Sequence, residues 1–341
     1  MKKRDYFIDC LRGYACLAVV VYHVVMGIRL AGIGATMPAA EIWFEKFLNS
    51  FHVPLFMFLS GYVFSITGDW KSKGSRINFI KHKFLNLGLP YLFFSIVYII
   101  INVITPGTNH NSDITDIFKI WYKPVAQYWF LYALLLLFCL WILISNFVDN
   151  KYIIFSIVVI INLTTIIMHL NISFWIYAQS CVLAFGVGAI IPKLGLDELN
   201  IPLKLLIIAV HIVTVTIVWY MDVDSIYYVA EIRRVVGISA SIAFISLIWK
   251  NKIINKILLK INKYSFPIYL LHTIFTSAIR IVLNKVGIHI FGIHVLIGIC
   301  FGLILPIIIA DISNRIPYID FFFFPSKNIK RIRDSKKIKR G

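Results

Sequence analysis

Between Leu131 and Ile144 the chain carries no charged side chain, and comparable apolar runs recur along most of its length. No other feature limits the fold as much. A soluble domain is about 45–50% apolar and about 25% charged. This 341-residue chain is 60% hydrophobic and 15% charged, with a mean hydropathy of +0.83, which leaves too little polar surface to coat a water-soluble globule. A helix crossing a bilayer uses roughly 20 apolar residues, so the composition has room for about ten of them. Membrane β-barrel strands alternate apolar and polar residues over short segments, and these unbroken runs do not. The chain reads as an all-α polytopic membrane protein, a bundle of about ten transmembrane helices.

Apolar windows bounded by charge or turn residues place spans near 8–28, 44–66, 84–104, 128–147, 152–169, 173–191, 203–220, 232–249, 265–284 and 287–312. The net charge is +18, from 34 Lys+Arg against 16 Asp+Glu. In a soluble chain such an excess points to nucleic acid. Here the bases concentrate in segments 2–4, 71–83, 250–263 and 327–340, which alternating spans put on one side. The positive-inside rule makes that side cytoplasmic, with both termini on it. The charge is then a topology signal, and nucleic acid is not an expected partner. The expected organisation is one integral-membrane domain over 1–320 in the cell (inner or plasma) membrane, followed by a basic cytoplasmic tail, 321–341, resting on anionic lipid. Asp9, Arg12 and His23 interrupt the first apolar stretch, which marks it as a span rather than a signal peptide. The five cysteines fall in apolar runs without a Cys-x-x-Cys, so neither a disulfide framework nor a metal site is expected.

Ionisable groups inside a span are costly and are functional candidates. Asp9 and Arg12 are about 60° apart on a helix, close enough to pair, and His23 returns to within about 20° of Arg12, about 16 Å along the axis. Arg12 sits about one turn inside the cytoplasmic boundary and His23 lies in the outer half. Two readings of Arg12 stay open: an interface residue snorkelling beside Asp9, or a functional cation. Gly13 lets another backbone approach closely. The second span runs the opposite way, which puts His52 roughly 12 Å deep and level with His23 on an adjacent helix. Tyr128 and Trp129 start the fourth span, where aromatic residues form an interface belt or stack on sugars. Glu231 and Arg233 lie near the outer end of the eighth span, and Arg280 near that of the ninth; each is a possible acceptor contact. His169, His211, His289 and His294 are isolated or near span ends and read as structural.

Several of these residues fall in motifs. Residues 4–13, Arg-Asp-Tyr-Phe-Ile-Asp-Cys-Leu-Arg-Gly, followed by Val-Val-Val-Tyr-His23, resemble the opening of the membrane-bound acyltransferase 3 family, of the surface-polysaccharide O-acetyltransferase type. The family's first span carries an arginine and a histidine separated by ten residues, as Arg12 and His23 are. Phe51-His-Val-Pro-Leu-Phe-Met-Phe-Leu-Ser-Gly-Tyr62 resembles its second-span motif, Tyr128-Trp-Phe-Leu-Tyr132 its fourth-span opening and Ser265-Phe-Pro-Ile-Tyr-Leu-Leu-His272 a late-span motif. The similarity runs from residue 4 to about 315. One departure stands out. The family usually carries Arg-x-x-Arg before its third span, and here Lys83 takes the first position and Asn86 the second.

The resemblance implies transfer of an acyl group, usually acetyl, from cytoplasmic acyl-CoA (acetyl-CoA) to a hydroxyl of a cell-surface polysaccharide or lipid-linked glycan. The donor is a substrate, and no resident cofactor is implied. Such a transfer needs a general base for the hydroxyl proton, a polarised thioester carbonyl and cations for the donor phosphates. His23 suits the base, because imidazole titrates near neutrality, with Arg12 and His52 completing the catalytic set. Arg12, Arg76, Lys81 and Lys83, with His272, lie where the coenzyme would arrive. Tyr128, Trp129, Glu231 and Arg233 would meet the acceptor. A polytopic transporter or flippase of a glycolipid or polysaccharide is the competing class. It would more often show repeats and Gly/Pro-broken spans in matching halves, and the sequence has no such symmetry.

Overall fold

In the computed structural model, residues 5–33, 38–68, 70, 72–109, 112–170, 172–195 and 198–338 are described. The basic cluster at 2–4 and the end of the tail, 339–341, lie outside them. Sixteen α-helices and no strand occur among the described residues: α1 (Tyr6–Leu30), α2 (Pro38–Asn49), α3 (His52–Thr67), α4 (Lys73–Lys83), α5 (Leu89–Ile104), α6 (Trp129–Ser145), α7 (Lys151–Ile167), α8 (Ile176–Gln179), α9 (Val182–Ile190), α10 (Ile201–Met221), α11 (Tyr227–Ile248), α12 (Lys252–Lys263), α13 (Ser265–Lys285), α14 (Phe291–Ser313), α15 (Pro317–Phe323) and α16 (Pro325–Ile338). Short polar residues start many of them. Asp5 accepts from the Phe7 and Ile8 amides, Asn150 from Tyr152, Asn200 from Leu203, and Asn251 from Ile253 and Ile254. Each cap satisfies amides that the first turn leaves without partners.

Seven stretches among the described residues are long and apolar enough to cross a membrane, against the ten read from the sequence. They are α1, Ala39–Thr67, Gly74–Ile104, Ala126–Ser145, α10, α13 and α14. Of the other expected spans, 152–169 forms the shorter α7, 173–191 is divided between α8 and α9, and 232–249 falls in α11, whose first turns carry Glu231, Arg233 and Arg234.

The chain divides into two compact units, Met1–Thr67 with Leu183–Leu303, and Gly68–Val182 with Ile304–Gly341. In the first, α1 is the central helix, packed against α2, α3, α11, α12 and α13. Lipid tails are as apolar as leucine, so such helices associate through close packing at small residues. The expected close approach at Gly13 is present: a Cβ there would lie 2.1 Å from the Leu258 carbonyl oxygen of α12. α3 and α9 cross at a reciprocal pair. A Cβ on Gly61 would lie 2.0 Å from the Phe185 carbonyl oxygen, and one on Gly188 would lie 2.0 Å from that of Phe58.

The stretch 44–66, read as one span, is broken at Ser50–Phe51. Pro54 lacks the amide hydrogen that would bond the Ser50 carbonyl in a continuous helix. The Ser50 hydroxyl donates to the Phe47 carbonyl at 2.6 Å and sits 2.7 Å from His211 Nε2. His52 therefore begins a new helix.

In the second unit α4 passes through a π-helical segment, Phe84–Gly88, into α5. Asn86, on that segment, donates to the His82 carbonyl at 2.8 Å and to the Ser326 hydroxyl at 2.7 Å, tying α16 to it. Phe322 stacks on Phe93 at 3.9 Å, and buried Asp320 accepts from Lys327 and Asn328. The boundary expected at residue 320 thus falls inside a packed helix, and the start of the tail belongs to this unit.

Candidate active site

The site is built on α1. Its unbroken geometry keeps Arg12 and His23 on one stripe, three turns apart. Asp9, at the N-terminal end of that stripe, accepts a hydrogen bond from Asn262 of α12 at 2.9 Å. His23 is half-buried, with its ring centroid 5.0 Å from that of His272 on α13. Tyr22 meets the His23 ring edge-on at 5.2 Å and stacks on His52 at 4.2 Å. Three histidines from α1, α3 and α13, with one tyrosine, therefore form a single cluster.

Hydrogen bonding settles the tautomers of two of them. His52 Nδ1 lies 2.9 Å from the Leu48 carbonyl, left available by the break before α3. His272 Nδ1 lies 2.9 Å from both the Ile268 and Tyr269 carbonyls. A carbonyl oxygen only accepts, so in both rings Nδ1 carries the hydrogen, and Nε2 keeps its lone pair in the neutral form. His272 is fully buried, and its Nε2 has no hydrogen-bond partner among the described residues. Imidazoles with a fixed tautomer and an available lone pair are equipped to take up a proton. The described residues contain no group of three or more His, Cys, Asp or Glu side chains that could hold a metal ion.

The remaining sequence candidates fare differently. His272 was expected near the coenzyme end and stands instead against His23. Glu231 pairs with Arg234, and Arg233 with Asp224 at 2.7 Å, while Lys46 reaches the same Asp224 at 2.5 Å. These charges are engaged within their own unit. In the second unit Tyr128 is fully buried, edge-on to Tyr98 at 5.9 Å, so it offers no face to a sugar; Trp129 is half-buried. Lys81 is exposed, and Lys83 lies over the Phe138 ring at 4.4 Å.

Arg76 is 3% exposed and donates to the Trp70 carbonyl, to Asn146 and to Asp149, at 3.3, 3.1 and 3.2 Å. That is a tie between segments rather than a contact open to phosphate. Replacing Arg76 with alanine should cost about 1–2 kcal/mol, because it removes the buried end of hydrogen bonds to the Trp70 carbonyl, Asn146 and Asp149. The melting temperature should fall with the donor KM unchanged. A raised donor KM at unchanged melting temperature would restore Arg76 to the donor site.

Two residues that the sequence reading left in minor roles lie close to His23. A cleft beside it is lined by Thr276, Ser277, Arg280 and His294. A signal was available: His272, Thr276 and Arg280 recur every four residues and share one face of α13.

An apolar multi-helix chain with a buried histidine cluster and a same-face arginine has the make-up of a membrane-embedded transferase. The acyltransferase 3 family profile, described as an acyltransferase domain, matches residues 5–311. The chain belongs to that family and is a membrane acyltransferase. Searches of curated proteins and of solved structures return no match.

Proposed function

We propose that this chain is an O-acyltransferase of the cell membrane, with both termini cytoplasmic. It moves an acetyl or other short acyl group from acyl-CoA to a hydroxyl of a cell-surface glycan or its lipid-linked precursor. The observation that carries this reading is the His23 cluster: an ionisable group within α1, beside His272 and Tyr22, with His52 stacked on that tyrosine, and on the same stripe as Arg12. Arg12 takes the donor phosphates. His23 accepts the proton of the acceptor hydroxyl as its oxygen attacks the thioester carbonyl carbon. The new C–O bond forms and the C–S bond breaks, and the proton passes from the imidazolium to the departing thiolate.

The test uses membranes containing the full chain, radiolabelled acetyl-CoA and surface glycan extracted from a strain lacking the protein. Base-labile label should appear in the glycan only when the chain is present. Unlabelled glycan, together with identical glycan masses in wild-type and deletion strains, would dismiss the proposal.

A further inference from the structure

The cleft beside His23 has room for about one water-sized group, so it is sized for a single small substituent, such as a hydroxyl, of a larger molecule. Thr276, Arg280 and His294 in its wall are 6%, 7% and 2% exposed. His294 Nε2 lies 2.7 Å from the Ile288 carbonyl. The carbonyl can only accept, which places the hydrogen on Nε2 and leaves a lone pair on Nδ1. That Nδ1 is buried and has no hydrogen-bond partner among the described residues. A buried acceptor in that state calls for an explanation.

Arg280 lines the same wall, and the acceptor that the cleft presents is His294 Nδ1. A hydroxyl matches it by giving its hydrogen to that nitrogen. A carboxylate or a dianionic phosphate has no hydrogen to give and would set its lone pairs against that of Nδ1. We propose that the cleft is a binding subsite for a second hydroxyl of the acceptor, adjacent to the one acylated at His23. The acceptor class is then a vicinal diol, such as neighbouring hydroxyls on a sugar ring. The proposal rests on the glycan-acylation reading and narrows it.

The full chain in native membranes is assayed with radiolabelled acetyl-CoA and glycan from the deletion strain, each varied separately. His294→Ala should raise the glycan KM by about tenfold, the effect of one buried hydrogen bond, with the donor KM unchanged. His294→Asn, which keeps an acceptor oxygen, should recover part of the loss. Ser277→Leu fills the cleft without disturbing the His294–Ile288 bond, and should raise the glycan KM even if His294→Ala fails to accumulate. Unchanged glycan KM in Ser277→Leu and in an accumulating His294→Ala overturns the subsite, as does an equal rise in donor KM. If the wild-type chain labels no glycan at all, the parent reading fails instead, which is a different result from a wild type that labels it with cleft variants that bind normally.

Discussion

Replacing His23 with alanine is expected to lower acyl transfer by about 10²–10⁴-fold, the usual effect of removing a general base. The chain should still reach the membrane at its normal level. His23 is half-buried on a long apolar helix, and alanine there removes a polar burden from the span without opening a core. His52→Ala should be milder, because that ring reaches His23 through Tyr22. Glycan acylation in a complemented deletion strain, with membrane levels checked by blot, measures both. A His23→Ala protein at normal level keeping more than about a tenth of the wild-type rate is incompatible with a base of this strength. The base would then be sought at His52 or His272, whose Nε2 lone pairs are fixed by their carbonyl contacts.

The second large effect is structural. Gly61→Leu should destabilise the chain at the upper end of the about 1–3 kcal/mol that overpacking costs. The obstruction is backbone: a Cβ at Gly61 would meet the Phe185 carbonyl oxygen at 2.0 Å and the Ala189 nitrogen at 3.0 Å. Neither atom can rotate aside, so α3 and α9 must separate. Gly188→Leu should behave alike, since its clash with Phe58 is the mirror of the first. Thermal stability of the detergent-solubilised protein reads the effect. A wild-type melting temperature in Gly61→Leu would show that the two helices do not meet at these glycines.

Helical periodicity made α1 legible, because Arg12, Gly13 and His23 all lie on one uninterrupted helix. The break at Ser50–Phe51 was hidden by continuous apolar composition, although Pro54 and the Ser50 hydroxyl both mark it. The segment 250–263 was read only as charge. Its apolar residues at 253, 254, 257, 258 and 261 repeat at helical spacing, and the structure uses them in α12, with Leu258 and Ile261 buried. His272 was misplaced for another reason. Depth along a span says nothing about lateral neighbours, and the α1–α13 contact brings its ring to His23. Arg233 looked available because its partner, Asp224, lies in the α10–α11 turn, whereas the Glu231–Arg234 pair was legible from i,i+3 spacing on one helix. Asn86, noticed only as a missing arginine, is the tie to Ser326.

α1 runs without interruption from Tyr6 to Leu30 and is gripped along its length. Gly13 is pressed to Leu258, while Val20 and Val24 pack where Gly302 and Gly298 of α14 leave no room for a Cβ. A helix held in this way can neither stretch nor unwind, so the 1.5 Å rise per residue sets the axial distance from Arg12 to His23 at about 16 Å. It acts as a ruler. A donor whose anionic end rests at Arg12 can offer His23 only a carbonyl carried on an arm of matching length. On the proposed reading, selection among thioesters is then made by reach before it is made by the shape of the acyl group. A truncated thioester can occupy one end of the ruler, but it cannot span both.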